Sequence, residues 1–362
     1  MVTQSGVYHE SYRADMQLRP TSWQRYRLAF VLVVVLLLPI VAGVRELRIV
    51  NTVLIASIGA IGLNILVGYT GQISLGQGAF LAVGAYSTGL LMIYYDLPWP
   101  IACLLAGFIT AAFGAVFGIP SLRLKGLYLA VATLAAQEIV SWGVRVLDFI
   151  DGKDDDQARE LAMPVINFVG TRINATGMSS ERSFYVVAMG ILIVTVILVT
   201  NLFRTHIGRA FIAIRDQDIA AEVMGVNVFF YKLLAFATSS FFVGIAGALT
   251  AIHSTNLTFE RFTIEVSIEY LAMIIIGGLG SVSGSIYGAI FIKILPEILQ
   301  DIGESFSGAG LISANDLNQF MPSIEQVAFG LAIILTLVFE PEGIKKLWAD
   351  TKAYFRLWPF SY

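Results

Sequence analysis

The chain has 362 residues, of which 57% are hydrophobic types and only 14% are Asp, Glu, Lys or Arg, whereas soluble domains carry about 25% charged residues. That balance excludes an ordinary soluble enzyme, and it is the reverse of the composition that keeps a chain disordered. A net charge of −3 offers nucleic acid nothing to bind, and Cys103 as the single cysteine excludes a disulfide scaffold.

In chain order, the first 27 residues are polar. An apolar run of 17 residues follows at 28–44. It starts late and no small-residue cleavage site follows Val44, so it is not read as a cleaved signal peptide. Further apolar runs bounded by charge or turn residues lie at 49–68, 78–95, 100–119, 127–147, 184–203 and 231–252. The stretch 268–296 is interrupted by Gly277, Gly278, Gly280, Ser281 and Gly284. It is predicted as a broken hairpin of two short helices, a form tolerated at membrane depth only where protein or a cavity covers the backbone. A last run covers 323–340. With roughly 20 residues needed for each span, the prediction is an all-α polytopic membrane bundle of about ten spans. Residues 28–340 then form one transmembrane domain.

Orientation follows from the basic residues. With the N-terminus in the cytoplasm, 13 of the 23 Lys and Arg fall inside and 7 outside, the rest lying within spans or at their edges. Residues 1–27 and 341–362 become cytoplasmic tails, 204–230 a cytoplasmic segment, and 148–183 an acidic extracytoplasmic loop. A single span over 268–296 would put the C-terminal lysines outside, against the rule.

No phosphate-cradling G-x-x-x-x-G-K-[ST] sequence, G-x-S-x-G elbow or H-E-x-x-H occurs, and His9, His206 and His253 are scattered. The chain is therefore expected to bind no ATP, metal or other cofactor itself, to catalyse no bond chemistry, and to meet lipid rather than nucleic acid.

Four constellations carry information. The first is 204–230, long for a cytoplasmic turn. Ala213 to Met224 predicts a helix with mixed charges, with Asp216 and Asp218 suited to a helix N-terminal end and Gly225 placed as a C-cap. Small Ala220 and Ala221 make it either a docking surface for a partner groove or a plain amphipathic connector. The second is the glycine-rich turn with Asn64, Gly68, Thr70, Gly71, Gln72, Ser74 and Gln77. Its hydroxyl and amide groups could line a translocation path or simply seal tight helix packing. Gly277-x-x-Gly280-x-Val282-Ser283 echoes Gly68-x-x-Gly71-x-Ile73-Ser74. The third is Glu138, about midway along 127–147, with Thr133, Gln137, Ser141 and Arg145 on its stripe. A carboxylate at that depth reads as a path lining, a gate, or a structural ion pair with Arg145. Glu269 reads as interfacial, and Lys293 as snorkelling or pairing near the outer surface. The fourth is the small-residue spacing Gly280-x3-Gly284-x3-Gly288, Gly114-x3-Gly118 and Ser240-x3-Gly244-x3-Ala248, which permits close helix contacts.

Ala220-Ala221-x-x-x-Gly225 resembles the Ala-Ala-x-x-x-Gly part of the coupling motif of ABC-importer permeases, although Ile219 stands where the usual pattern has glutamate. The wider stretch closely resembles the branched-chain amino acid (hydrophobic amino acid uptake) permease family. It includes Gly208-Arg209-Ala210, Ala213-Ile214-Arg215-Asp216, Glu222-x-Met224-Gly225 and Tyr231-Lys232. The likeness extends through Asn64 to Phe80, Ser267-Ile268-Glu269, Gly277 to Ser281 and Phe339-Glu340-Pro341-Glu342-Gly343, and so covers roughly residues 50–345.

The resemblance implies the permease subunit of an ATP-driven importer in a bacterial inner membrane. Its implied partners are a second permease of the family, two ATPases that bind the ATP, and an extracytoplasmic binding protein. Coupling would fall to Gly208, Arg209, Arg215, Asp216, Ala220, Ala221, Glu222 and Gly225. The implied cargo is branched-chain or other apolar amino acids, with urea and short amides as the alternative. Asp148 to Asp156 is acidic where the family often has a glycine-rich stretch, which sets this chain apart at that loop. Two other classes stand beside this reading: a secondary transporter with Glu138 as proton carrier, and a membrane scaffold without transport.

Overall fold

The computed structural model describes residues 37–121, 126–146, 161–164, 166–168, 171–172, 177–254, 256–308, 314–340 and 343–357, together with Tyr26 and Val35. The polar N-terminal segment apart from Tyr26, residues 28–34 and 36 of the first apolar run and the acidic stretch 148–160 lie outside them.

The apolar runs become helices. They are α1 (Val44–Thr70), α2 (Gln77–Tyr94), α3 (Trp99–Ser121), α4 (Leu127–Val146) and α5 (Met178–Leu202). Two short helices follow, α6 (His206–Asp216) and α7 (Asp218–Val223), and then α8 (Val228–His253). A 3₁₀ turn (Phe259–Phe262) leads to α9 (Ile264–Gly277), α10 (Val282–Gly308), α11 (Ala314–Phe339) and α12 (Ile344–Leu357). Helices suit this setting because every backbone polar group is satisfied within the segment.

Five of these helices, α1, α3, α5, α8 and α10, are long and apolar enough to cross a membrane. Two of the others that coincide with expected spans carry shorter apolar stretches: Tyr128–Val144 in α4 and Ser323–Thr336 in α11. The interrupted stretch forms the expected two helices around a glycine turn, but unequally, α9 with 14 residues and α10 with 27. The fold is thus an all-α membrane helical bundle.

Helix α8 sits at its centre, packed on α1, α2 and α3. Small residues set this arrangement, because association in an apolar medium depends on close van der Waals fit. A Cβ added at Gly84 of α2 would lie 2.7 Å from the Cα of Gly244 on α8. One added at Gly114 of α3 would lie 2.6 Å from Cβ of Ser240. Ser239 Oγ donates a 2.7 Å hydrogen bond to the Gly62 carbonyl of α1. The small-residue spacings are therefore the contact lines of α8. Those of α10 serve the same purpose, since Gly284 faces Gly277 across the break.

Two-residue strands add a clasp at the far end. Leu161–Ala162 (β1) pairs antiparallel with Asn256–Leu257 (β4), while Asn167–Phe168 (β2) pairs with Thr171–Arg172 (β3). The long loop is thereby tied to the end of α8.

The segment 204–230 departs from expectation. One helix over 213–224 was predicted, and two helices meet at a break. Gln217 is extended, with φ −161° and ψ 102°, and serves as C-cap of α6 and N-cap of α7. Asp218 opens α7, where an acidic side chain complements the helix dipole.

Candidate functional site: a double glycine turn held by a surface arginine

The two glycine turns that echo each other in sequence meet in space. Helix α1 ends at Gly71, which is left-handed at φ 69° and donates its N–H to the Leu66 and Val67 carbonyls. A side chain there would strain the backbone. About two turns before, Asn64 is buried and reaches the other glycine turn. Its Nδ2 donates to the Ser281 carbonyl at 3.0 Å and to Ser285 Oγ at 2.7 Å. Its Oδ1 accepts the Gly280 N–H at 2.9 Å. Three hydrogen bonds from one amide fix the second turn against the first. Gly280, at φ 70°, lies close enough to Gly68 that a Cβ on Gly68 would strike the Gly280 nitrogen. Ser281 Oγ accepts the Gly284 N–H at 3.0 Å and so caps the start of α10. Gly277 and Gly278 carry the chain into this turn.

Arg215, from α6, touches both turns. Its Nη1 donates to the Gly68 carbonyl at 3.1 Å. The same atom stands 3.0 Å from where a Gly280 Cβ would lie, and its Cγ 3.3 Å from a Gly71 Cβ. Its Nε and Nη2 each lie 3.0 Å from the Asp216 carboxylate. Lys232 of α8 reaches Asp218 of α7 at 3.5 Å. Buried Gln72 donates to Thr70 Oγ1 at 3.2 Å and to the Lys232 carbonyl at 3.4 Å. Between these groups lies a polar cavity of about 310 Å³, lined by Thr70, Gly71, Gln72, Arg215, Asp218 and Lys232 among others.

Beyond Arg215 the segment presents an apolar crest. Ile219, Val223 and Met224 are 66%, 81% and 84% exposed, whereas Ala221 is buried. Ala220 and Glu222 are exposed beside them. Gly225, at φ 87°, ends the crest; its N–H donates to the Glu222 carbonyl at 2.9 Å, and that of Val226 to Ala221 at 3.0 Å. At the other end, Gly208 packs against the backbone of Leu202 and Phe203, where a side chain would collide, and Arg209 donates to the Arg204 carbonyl at 3.4 Å.

The remaining polar residues of the first turn form a buried seam. Ser74 Oγ accepts the Gly76 N–H at 3.3 Å, and Gln77 donates to the Gly59 carbonyl at 3.1 Å. Gln137 of α4 donates to the Phe262 carbonyl at 2.6 Å and accepts the Ala79 N–H at 2.5 Å. Thr133, Gln137 and Ser141 are buried together, but Glu138 is exposed on the outside of α4. One residue step turns a helix by about 100°, so the stripe at 133, 137 and 141 faces the bundle while its neighbour looks outward. The side chain of Arg145 lies outside the described residues.

At the opposite end, Glu181 of α5 is buried and accepts from Asn51 at 2.8 Å. It lies 3.0 Å from His253 and 3.3 Å from Arg48. Lys293 pairs with Glu269 at 2.8 Å, the second of the two readings its position allowed. The Glu181 cluster gave no sequence signal, because its members come from three helices far apart in the chain.

The chain matches the family described as branched-chain amino acid transport system permease component over residues 46–337. It is 31% identical over 341 residues to the high-affinity branched-chain amino acid transport system permease protein LivM of Salmonella typhimurium, covering 89% of this chain and 75% of that protein. It is 24% identical over 294 residues to the probable branched-chain amino acid transport permease protein LivH of Methanocaldococcus jannaschii, covering 79% and 86%. The fructose import permease protein FruG of Bifidobacterium longum is 26% identical over 242 residues, covering 65% and 69%. No solved structure matches the chain.

Proposed function

The chain belongs to the branched-chain amino acid transport permease family, and on that premise we propose that it is a transmembrane permease subunit of an ATP-driven importer of branched-chain or other apolar amino acids. Its partners are a second permease of the same family, two cytoplasmic ATPases that carry the ATP, and an extracytoplasmic protein that delivers the solute. Similarity to proteins named LivM and LivH supports a paired arrangement. The subunit itself performs no bond chemistry and uses no cofactor.

In this reading the chain lies in a bacterial inner membrane as about ten spans of roughly 20 residues. Both tails, 1–27 and 341–362, and the segment 204–230 are cytoplasmic, and 148–183 is outside.

The observation that carries the proposal is Arg215. It belongs to the exposed segment whose apolar crest suits the groove of a partner, and it holds the turns that end α1 and begin α10. An ATPase docked on Ile219, Val223 and Met224 that moves on ATP binding would move α6 and α7. Through Arg215, that motion would reach Gly68 and Gly280 and shift α1 against the α9–α10 hairpin. Such a switch needs rigid elements with two arrangements, and hydrogen-bonded turns between helices supply hinge points. The residues Gly208, Arg209, Asp216, Ala220, Ala221, Glu222 and Gly225 shape this lever. Asn64, Gly68, Thr70, Gly71, Gln72, Ser74, Gln77 and Gln137 form the polar seam beside it. A stand-alone transporter driven through Glu138 is less favoured, because that carboxylate faces away from the seam. The test is ATP-dependent uptake by the assembled complex in proteoliposomes, with and without its binding protein.

A further inference from the structure

A cavity of about 180 Å³ lies between α1, the end of α8, the 3₁₀ turn, α9 and α10. One water needs roughly 10–15 Å³ on this scale, so the space accepts a small solute. Its lining divides by chemistry. Ile55, Leu81 and Phe262 make an apolar side, while Arg261, Glu269 and Lys293 bring charge. Lys293 Nζ and the Glu269 carboxylate are 2.8 Å apart and only 23% and 19% exposed. Arg261 donates to the neutral hydroxyl of Ser254 at 2.9 Å. Among the described residues no carboxylate pairs with Arg261.

A second recess, of about 590 Å³, shares Thr52 and Lys293 with the first and is lined by Arg45, Arg48 and Glu297. Arg45 pairs there with Glu297 and Asp301, and charged groups are costly against lipid, so this side of α1 and α10 faces water or protein. The two recesses adjoin at Lys293, which gives the inner cavity a charged approach.

We propose that the cavity bounded by Arg261, Glu269 and Lys293 is a binding site, within this single subunit, for one small zwitterion with an aliphatic side chain. The inference rests on the importer reading and deepens it by placing a solute site inside the chain rather than at a seam between two permeases. The solute carboxylate lies against Arg261 and Lys293, its ammonium on Glu269, and its side chain against Ile55, Leu81 and Phe262. A neutral solute such as urea or a sugar would compensate none of these charges. A monovalent amine would leave Arg261 without a counter-charge, and a monovalent acid held by Arg261 and Lys293 would draw Lys293 from Glu269 and put nothing in its place. The site therefore selects for both charges at once.

The experiment uses the assembled permease–ATPase complex in lipid nanodiscs and a leucine analogue bearing a photoreactive diazirine on its side chain. Irradiation followed by peptide mass spectrometry should place label on Ile55, Leu81 or Phe262. L-leucine should compete, while 3-methylbutylamine and 4-methylpentanoate, each with one charge, should compete at least about tenfold more weakly. Arg261→Gln and Lys293→Met should each reduce the labelling at least about tenfold. The paired change Glu269→Leu with Lys293→Met removes both members of the ion pair together, and it should abolish labelling without loss of assembly.

Label found only elsewhere, labelling indifferent to these variants, or equal competition by the singly charged analogues would overturn the site. Stimulation of ATP hydrolysis by the binding protein is read in parallel. If it persists while the label goes elsewhere, the site falls and the importer stands. If it is absent from the wild-type complex, the importer reading falls on its own evidence.

Discussion

Arg215 Nη1 donates a 3.1 Å hydrogen bond to the Gly68 carbonyl, 147 residues away in the chain. Gly68 is otherwise a helix-end residue whose carbonyl would be left without a partner. The bond thus satisfies the end of α1 and ties it to a segment that stands out from the bundle. Arg215→Met removes the donor and the charge while keeping the side chain's length. A hydrogen bond to a charged group contributes about 1.5–3 kcal/mol, so coupling should weaken at least about tenfold. The check is the ratio of solute taken up to ATP hydrolysed, which should fall while membrane insertion stays unchanged.

Asn64 makes three hydrogen bonds across the two glycine turns. Asn64→Leu keeps the volume but removes all three bonds: the Gly280 N–H loses its acceptor, while the Ser281 carbonyl keeps only its bonds from Ser285. At about 1 kcal/mol for each bond, the loss is about 3 kcal/mol. Thermal unfolding of the purified chain in detergent should begin several degrees lower than in the wild type.

Gly84 and Gly244 mark a close approach of α2 to α8. Gly84→Leu cannot be accommodated without separating these helices, because the facing atoms belong to backbone. The variant should accumulate poorly in membranes and resist purification as a single species. Gly143→Leu, where a side chain would meet open space, should accumulate like the wild type.

The crest of Ile219, Val223 and Met224 lies open on α7 and the residue after it. Met224→Asp places a charge at the centre of a surface argued to bury itself in a partner. Recovery of the ATPases with the purified chain should drop at least about tenfold, since 1.4 kcal/mol suffices for that. Ala221→Glu, at a buried position, should reduce uptake as well.

The helices were legible because an apolar run of sufficient length has few alternatives in lipid. The break between α9 and α10 was legible for a local reason: six Gly and Ser residues fall within 277–284 and interrupt 268–296. The echo of Gly68–Ser74 in Gly277–Ser283 was visible, but its meaning was not. Only the fold shows that Asn64 brings the two turns together. The bend at Gln217 has no sequence signal, since nothing in its composition forbids a continuous helix. Glu138 was grouped with the stripe beside it, and a register one residue off is enough to turn it outward. The cluster of Asn51, Glu181 and His253 was beyond reach, because its members are separated by 130 and 72 residues.

The most direct measurement compares ATP hydrolysis with solute uptake in proteoliposomes holding this chain, its partner permease and the ATPases. The binding protein, loaded with an apolar amino acid, is added outside. Hydrolysis stimulated by the loaded binding protein, together with uptake that requires ATP and is lost on Gly225→Asp, is the predicted result. Uptake by this chain alone, driven by a proton gradient and indifferent to ATP, would contradict the importer and turn attention to Glu138.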